Sequence, residues 1–267
     1  MLLVDSHTHL SSFVSRGTAE DTITRAVEEG VGRMVTIGTE PDDWSTNRNL
    51  AASHPGVVDY TVGLHPTSVD DRWEAALADL PAALNWDPGP VGLGEMGLDR
   101  FHLPNDPVEA AQVFSRQENA FRAQLELARG YQLPLVIHSR GAVKACIELI
   151  DECGVGWSRI VFHCFSDGPD LLEPILDRGG RASFTGIVTY KNAENVRESL
   201  KRQPLESLML ETDAPYLAPV PKRGKPNEPA YVRHTAAFCA KTLGMALEDL
   251  ASVTTKNAMT FFGLATR

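Results

Sequence analysis

Cysteine is scarce in this chain. Only four occur in 267 residues (Cys146, Cys153, Cys164 and Cys239), and no two are spaced Cys-x-x-Cys. That gives no disulfide framework, and the thiols read as reduced and mostly buried. No apolar run is long enough to span a bilayer, and Met1-Leu2-Leu3-Val4 leads into Asp5 rather than into a signal-peptide core. The expectation is a soluble, cytoplasmic protein with no membrane partner. Basic residues are also in deficit, with 25 Lys+Arg against 35 Asp+Glu and a formal net charge of -10. Such a chain does not coat itself with nucleic acid, because non-specific binding rests on basic phosphate contacts. An enzyme gripping one phosphate in a locally positive pocket stays open. Linkers, low-complexity stretches and internal repeats are missing, so residues 1–267 are expected to form a single domain. The Pro- and charge-rich loop "PVPKRGKPNEPAY" is too short to be a hinge between two cores.

Short apolar runs recur with helical patterns between them: Leu2–Val4, Arg33–Ile37, Asp59–Val62, Pro90–Leu93, Leu135–Ile137, Ile160–Phe162, Arg181–Phe184 and Leu208–Leu210. Such runs, separated by amphipathic segments, suggest a parallel sheet covered by helices. Between Thr18 and Gly30, Thr18 can cap a helix with Asp21 three residues on. Ile23, Ala26 and Val27 form its apolar stripe, and Gly30 can end it in a left-handed turn. "NAFRAQLELARGYQ" and "AVKACIELIDECG" repeat the design. Eight such units predict an α/β fold, a (β/α)8 TIM barrel. An open doubly wound sheet would want a glycine-rich loop after the first strand, where this chain has "DSHTHL".

In barrels of this kind chemistry sits at the C-terminal ends of the strands. His7 and His9 follow the first predicted strand, His65 the third, Glu95 the fourth, His138 the fifth, His163 the sixth and Asp213 the eighth. Five of the eight histidines therefore share one topological address, which scattered core or surface histidines would not do. Imidazole nitrogens and carboxylate oxygens are the donors that a divalent ion of borderline hardness prefers. Residues two apart on a strand face the same way, so His7 and His9 can meet one ion. His138 and His163, from neighbouring strands, can share a second ion, and a glutamate can bridge because each oxygen takes one metal. Two ions about 3.5–4 Å apart can hold a water as hydroxide. Asp213 could bind the first ion and accept that water's proton. Four neutral histidines and two carboxylates give about -2, two divalent ions +4 and a hydroxide -1, which leaves about +1 locally.

At these residues the chain resembles the TatD family of metal-dependent deoxyribonucleases, within the amidohydrolase superfamily of barrels. "DSHTHL", "GLHP", "GLGEMGLD", "IHSR", "FHCFS", "LETDAPYLAP", "RGKPNEP" and "TTKNAMTFFGL" carry the resemblance over nearly the whole length. It implies that His7, His9, Glu95 and Asp213 hold one divalent ion and that Glu95, His138 and His163 hold the other. It also implies hydrolysis of phosphodiester bonds in DNA, commonly as a 3'-5' exonuclease, with magnesium or another divalent ion. Four imidazoles suit zinc or manganese equally. Two positions depart from the family pattern: Arg100 stands where a tyrosine usually follows "GLD", and Asp167 is inserted before the glycine of "FHCFSDG".

Glu95 and Asp213 are thus the expected catalytic groups. His65, Arg140, Arg223 and Lys225 are the expected substrate contacts, with Lys222 in the same basic run. Asp99 could orient a ligand histidine, and Cys164 reads as packing rather than a nucleophile. His54, His102 and His234 are left as surface or helix residues. Asn257 reads as structural, in an outer helix whose Met259, Phe261 and Phe262 pack inward. The leading function is a two-metal phosphodiesterase acting on DNA, with single-stranded or frayed ends as substrate. The alternative keeps the site but cleaves a small ester, lactone or amide. A metal-bound scaffold without turnover is disfavoured, because structural zinc sites are closed and four-coordinate. No motif points to a stable protein partner.

Overall fold

The apolar runs become eight parallel strands: β1 (Leu3–Thr8), β2 (Val31–Thr36), β3 (Val58–Val62), β4 (Gly92–Gly97), β5 (Leu135–His138), β6 (Ile160–Phe162), β7 (Arg181–Phe184) and β8 (Met209–Leu210). The structure is a computed structural model that describes residues 2–265, so Met1, Thr266 and Arg267 of the expected domain lie outside the described residues. Each strand pairs with the next in sequence order. The ring is nearly closed between β8 and β1 by a single bridge, Thr8 to Ala214. His9 N–H donates to Ala214 O at 2.8 Å and Asp213 N–H to His7 O at 2.9 Å beside it. The chain is a (β/α)8 barrel.

Two strands run well past their expected carboxyl ends. β1 continues to Thr8, which puts His7 inside the strand rather than after it. The extension is polar but paired: Asp5 accepts from Thr212 N–H at 2.8 Å and Thr212 Oγ1 at 2.6 Å, and Ser6 Oγ donates to Leu210 O at 3.1 Å. Hydrogen bonding removes most of the penalty for burying such groups, so an apolar-run criterion stops too early. β4 likewise continues to Gly97 and takes in Glu95. A Cβ on Gly97, at φ 141°, would fall 2.0 Å from His138 O. Only glycine lets β4 approach β5 this closely.

Most apolar side chains lie between the strands and the surrounding helices. A second cluster joins Val4, Val35, Val136, Val161 and Met209. Strands on opposite sides of the ring can meet only through its interior, so this is the barrel's own filling. Phe261, Phe262 and Leu264 belong to it. The Phe262 ring stands against Gly92, the first residue of β4. The helix Leu247–Phe261, expected as an outer cover, therefore also plugs the amino-terminal floor with its end. Asn257 fixes it there, with Nδ2 donating to Leu205 O at 2.8 Å and Leu208 O at 2.9 Å.

The helix Ala19–Glu28 begins after Thr18, as its sequence suggests. The hydroxyl, however, donates back to Phe13 O instead of accepting from the first turn. Ala19, Thr22, Ile23 and Ala26 are buried, while Val27, one helical step off that face, is exposed. Gly30 follows at φ 89° and Gly154 ends Val143–Cys153 at φ 66°, the left-handed terminations expected. Among the described residues no helix is long and apolar enough to cross a membrane.

Candidate metal centre

The barrel brings six side chains from five strands to the carboxyl-terminal end, arranged about Glu95. Glu95 Oε1 lies 2.6 Å from His163 Nε2, 2.8 Å from His138 Nδ1 and 3.3 Å from His65 Nε2. Its other oxygen, Oε2, lies 3.3 Å from His7 Nε2 and 3.9 Å from His9 Nε2. Asp213 Oδ1 closes the second group, 3.1 Å from His9 Nε2 and 3.6 Å from His7 Nε2. One carboxylate oxygen thus faces each set of imidazoles.

Several ring nitrogens point at one another: His7 and His9 at 3.3 Å, His65 and His138 at 3.1 Å, His138 and His163 at 3.4 Å. Two lone pairs this close repel, so each such pair needs a proton or a metal cation between its nitrogens. Nitrogen and carboxylate donors packed in this way fit a divalent ion of borderline hardness. His7, His9 and Glu95 form one ion-sized group of donors, and His65, Glu95 and His138 form another. In addition, Nδ1 of His7 and of His163 is buried without a hydrogen-bond partner, and Glu211 Oε1 stands 3.4 Å from the latter.

The charges sort by distance. Burial pushes the Glu95 carboxyl up, but His163, His65, His7 and the bond from His138 outweigh it and hold it well below the carboxylate range. Burial pulls every imidazole down. Glu95 and Glu211 more than offset this at His163, Asp99 and Glu95 at His138, and Asp213 at His9, so these three are raised. At His7 burial and then the charge of His163 win over Glu95, and at His65 burial, helped by His138, wins over Glu95, so both are lowered and His65 falls to about 4. At Asp213 burial is again overcome, by the bond and charge of His9, and the carboxyl is lowered.

Asp213 has the left-handed φ of 57° and Cys164 one of 47°. Local bonds hold both turns. Tyr216 N–H donates to Asp213 O at 2.9 Å, and Asn227 Nδ2 donates to Thr212 O at 2.9 Å. Cys164 N–H donates to Glu211 Oε1 at 2.6 Å. A strained backbone kept at a cluster of converging polar groups is a mark of a functional site.

The model of the TatD related DNase family matches residues 4–263 of this chain. The chain belongs to the TatD family. Among TatD relatives, the uncharacterized metal-dependent hydrolase YcfH of Escherichia coli K12 is 35% identical over 98% of this chain and 96% of its own length. A Citrobacter koseri protein named 3'-5' ssDNA/RNA exonuclease TatD is 33% identical, covering 92% of this chain and 93% of that one. Among solved structures, the TatD homolog YjjV of Escherichia coli K12 superposes with a TM-score of 0.88 at 28% identity, over 98% of each chain.

In this TatD chain the side chains expected at the substrate divide. His65 stands in the cluster. Arg140 lays its guanidinium on Phe101, 3.6 Å from the ring centroid, and Arg223 lies on Tyr190 at 3.9 Å. Lys222 lies over Tyr231 at 4.8 Å, and Lys225 is exposed. Arg100, at the departure from the family pattern, packs on Phe114 at 3.9 Å, and its N–H donates to Arg140 O. The inserted Asp167 accepts from Ser199 Oγ through its carbonyl at 2.8 Å, away from the ligand nitrogens.

Three further residues belong to the site. Asp99 Oδ2 accepts from His138 Nε2 at 2.9 Å and from His102 Nδ1 at 2.8 Å, and Oδ1 accepts from His102 N–H at 2.8 Å. His102, left from sequence as a surface or helix residue, has an exposed side chain that nonetheless reaches the ligand set through Asp99. Their i,i+3 spacing was the available signal. Glu211 is buried, accepts from Ser183 Oγ at 2.6 Å and faces His163. Its place two residues before Asp213 could have marked it, since an extended chain puts such residues on one face. Cys164 is a packing group, its thiol pushed well above the ordinary range by burial and then by Asp213 and Glu211.

Proposed function

We propose that this TatD chain is a divalent-metal-dependent hydrolase of phosphodiester bonds in DNA, a deoxyribonuclease of the 3'-5' exonuclease type acting on single-stranded or frayed ends. The observation that carries the reading is the division of the Glu95 carboxylate, one oxygen toward His163, His138 and His65 and the other toward His7 and His9. His7, His9, Glu95 and Asp213 would hold one ion, and Glu95, His138 and His163 the other. Magnesium, zinc or manganese ions held there supply Lewis acidity toward a phosphoryl oxygen and lower the pKa of a coordinated water.

The chain's own groups do the rest. Asp213 is ionised at neutral pH and commits Oδ1 to the histidines, so its second oxygen is available to take a proton from the attacking water. Asp99 accepts from His138 Nε2, which leaves His138 Nδ1 with its lone pair toward Glu95. His65, kept neutral by burial, offers Nε2 to the substrate phosphate at the edge of the same group. Arg140, Arg223 and Lys225 supply positive charge around the mouth. The exonuclease name of the Citrobacter relative supports the choice of substrate.

The test is cleavage of end-labelled single-stranded DNA by metal-loaded protein beside Asp213→Ala and Glu95→Ala. Losses of several orders of magnitude in both variants are expected. Undiminished cleavage by the variants would expose a contaminating nuclease. Failure with all three metals, together with turnover of a small ester or lactone, would replace the nuclease by the alternative hydrolase.

A further inference from the structure

Among the described residues, the exposed large hydrophobic side chains are Leu2, Val14, Val27, Phe101, Val108, Tyr216 and Val220. Only two of these are aromatic, Phe101 at 65% and Tyr216 at 60% exposure, and both lie at the carboxyl-terminal mouth of the barrel. A single exposed aromatic needs no explanation. This pair has a topological relation that does. Phe101 follows β4 and stacks on Arg140, which follows β5; Tyr216 follows β8 and stands 6.2 Å from the ring of His9, which follows β1. In an eight-stranded ring the β4–β5 and β8–β1 seams lie opposite each other. The two aromatic faces therefore bracket the metal centre from two sides.

The Phe101 ring is supported while exposed, and the backbone that carries the Tyr216 ring is fixed. Arg140 supports Phe101 from one face at 3.6 Å, Arg100 N–H ties the segment to Arg140 O at 3.0 Å, and Asp99 fixes the turn through His102 N–H. Tyr216 donates its N–H to Asp213 O and accepts from Asn227 Nδ2 at 2.6 Å. An aromatic face kept in water on a fixed backbone, backed by an arginine at Phe101 and edged by His9 at Tyr216, suits a flat π system attached to an anion. An unpaired nucleobase on a phosphate backbone has that chemistry. Bases inside a duplex offer no free face.

We infer that Phe101, backed by Arg140, and Tyr216 are base-stacking residues that hold unpaired nucleobases on either side of the scissile phosphate. The inference rests on the nuclease reading above and makes single-strandedness a requirement of the mouth rather than of the metal site. Each stacked base contributes about 5- to 150-fold to affinity.

The experiment compares metal-loaded wild type, Phe101→Ala, Phe101→Tyr, Tyr216→Ala and Tyr216→Phe on a single-stranded oligonucleotide and on matched oligonucleotides. Each matched oligonucleotide carries one abasic tetrahydrofuran unit, placed at one of the three 3'-terminal positions. Wild type should show a higher KM when the stacked position is abasic. The alanine variants should raise KM on the intact strand to the abasic level with kcat much less affected, and the tyrosine and phenylalanine variants should recover the preference. Equal KM for intact and abasic strands in wild type would overturn the stacking role while leaving the nuclease intact. So would a KM rise in the alanine variants of the same factor on both strands. No cleavage of any strand by wild type would remove both readings, because the nuclease itself would have failed.

Discussion

Asp99→Asn isolates how a carboxylate that touches no proposed ion sets the donor state of one that does. The buried Asp99 accepts three hydrogen bonds, from His138 Nε2, His102 Nδ1 and His102 N–H. Burial pushes its carboxyl up, but the bonds from His138 and His102 outweigh this and hold it far below the ordinary range, so it is ionised at neutral pH. In the variant one oxygen keeps the backbone N–H, and the amide nitrogen then faces two imidazole nitrogens. It must donate, so His138 turns Nε2 into an acceptor and moves its proton to Nδ1, the nitrogen 2.8 Å from Glu95 Oε1. A protonated Nδ1 cannot bind a cation. Replacing such an outer partner typically weakens a metal site 10- to 100-fold, about 1.4–2.8 kcal/mol. Calorimetric titration of the metal-free protein with zinc or manganese should show two sites in wild type. In Asp99→Asn one site should be weaker by that factor and the other unchanged, because His7, His9 and Asp213 do not touch Asp99. Two unaltered sites would refute the tautomer argument, and equal weakening of both would point to a general distortion instead.

Removing the ions with a chelator should abolish activity and lower Tm, both recovering on metal return. Saturation at 100 times Kd adds about 2.7 kcal/mol to the folded state, and a Tm indifferent to chelation would contradict a buried metal centre. Arg33 and Asp59 tie β2 to β3 by a bidentate pair at 2.6–2.9 Å, and Arg33 also donates to Ala265 O. Arg33→Met should destabilise by about 3 kcal/mol in urea unfolding by leaving a carboxylate unpaired; Asp59→Leu added to it should recover much of the loss, and a cost near zero would deny the pair any role. Burial raises Asp43 to about 6 despite two hydrogen bonds from Thr39. The folded metal-free protein therefore holds this proton between pH 4 and 6 where the unfolded chain has lost it, and stability falls as pH rises through that window. Asp43→Asn should stabilise the metal-free protein at pH 7 by at most about 3 kcal/mol and leave it unchanged at pH 4; the same gain at both pH values would remove burial as its cause.

Strand number and order were legible because each strand's core is a short apolar run, and the runs alone define a sequential parallel ring. The ends of β1 and β4 were not, because they carry the polar side chains that make the site. Asp5 and Ser6 find their partners about 205 positions away, on Thr212 and Leu210, which local patterning cannot see. Val27 was misplaced for a local reason. It extends an apolar run in sequence but sits one helical step from Ala26, off the buried face. Within the site, residues ending apolar runs stood out, as His138 and His163 do. Glu211 was hidden inside "LETD", and its role depends on Ser183 and His163 from two other strands. Arg140 shows the reverse limit: its type and position suggested a phosphate, yet its guanidinium lies on the ring of Phe101.

Glu211 and Asp99 also change the electrostatic argument. Counting only Glu95 and Asp213 beside two divalent ions leaves the centre positive, which would let a chain of net charge -10 attract a phosphate unaided. Asp99 contacts His138 and Glu211 faces His163, so both carboxylates lie within the same set of contacts. With the two proposed divalent ions and their hydroxide, four carboxylates would leave about -1 in place of about +1, and the surplus is gone. What remains positive is the rim: Arg140 on Phe101, Arg223 on Tyr190, and the exposed Lys225. Interactions among exposed charges fade beyond about 8 Å at physiological salt, so these cations act only on a strand already at the mouth. An acidic surface outside that radius repels the remainder of a long polyanion. The same charge distribution thus disfavours binding along a duplex and tolerates a short single-stranded end, where the proposed nuclease requires its substrate to be.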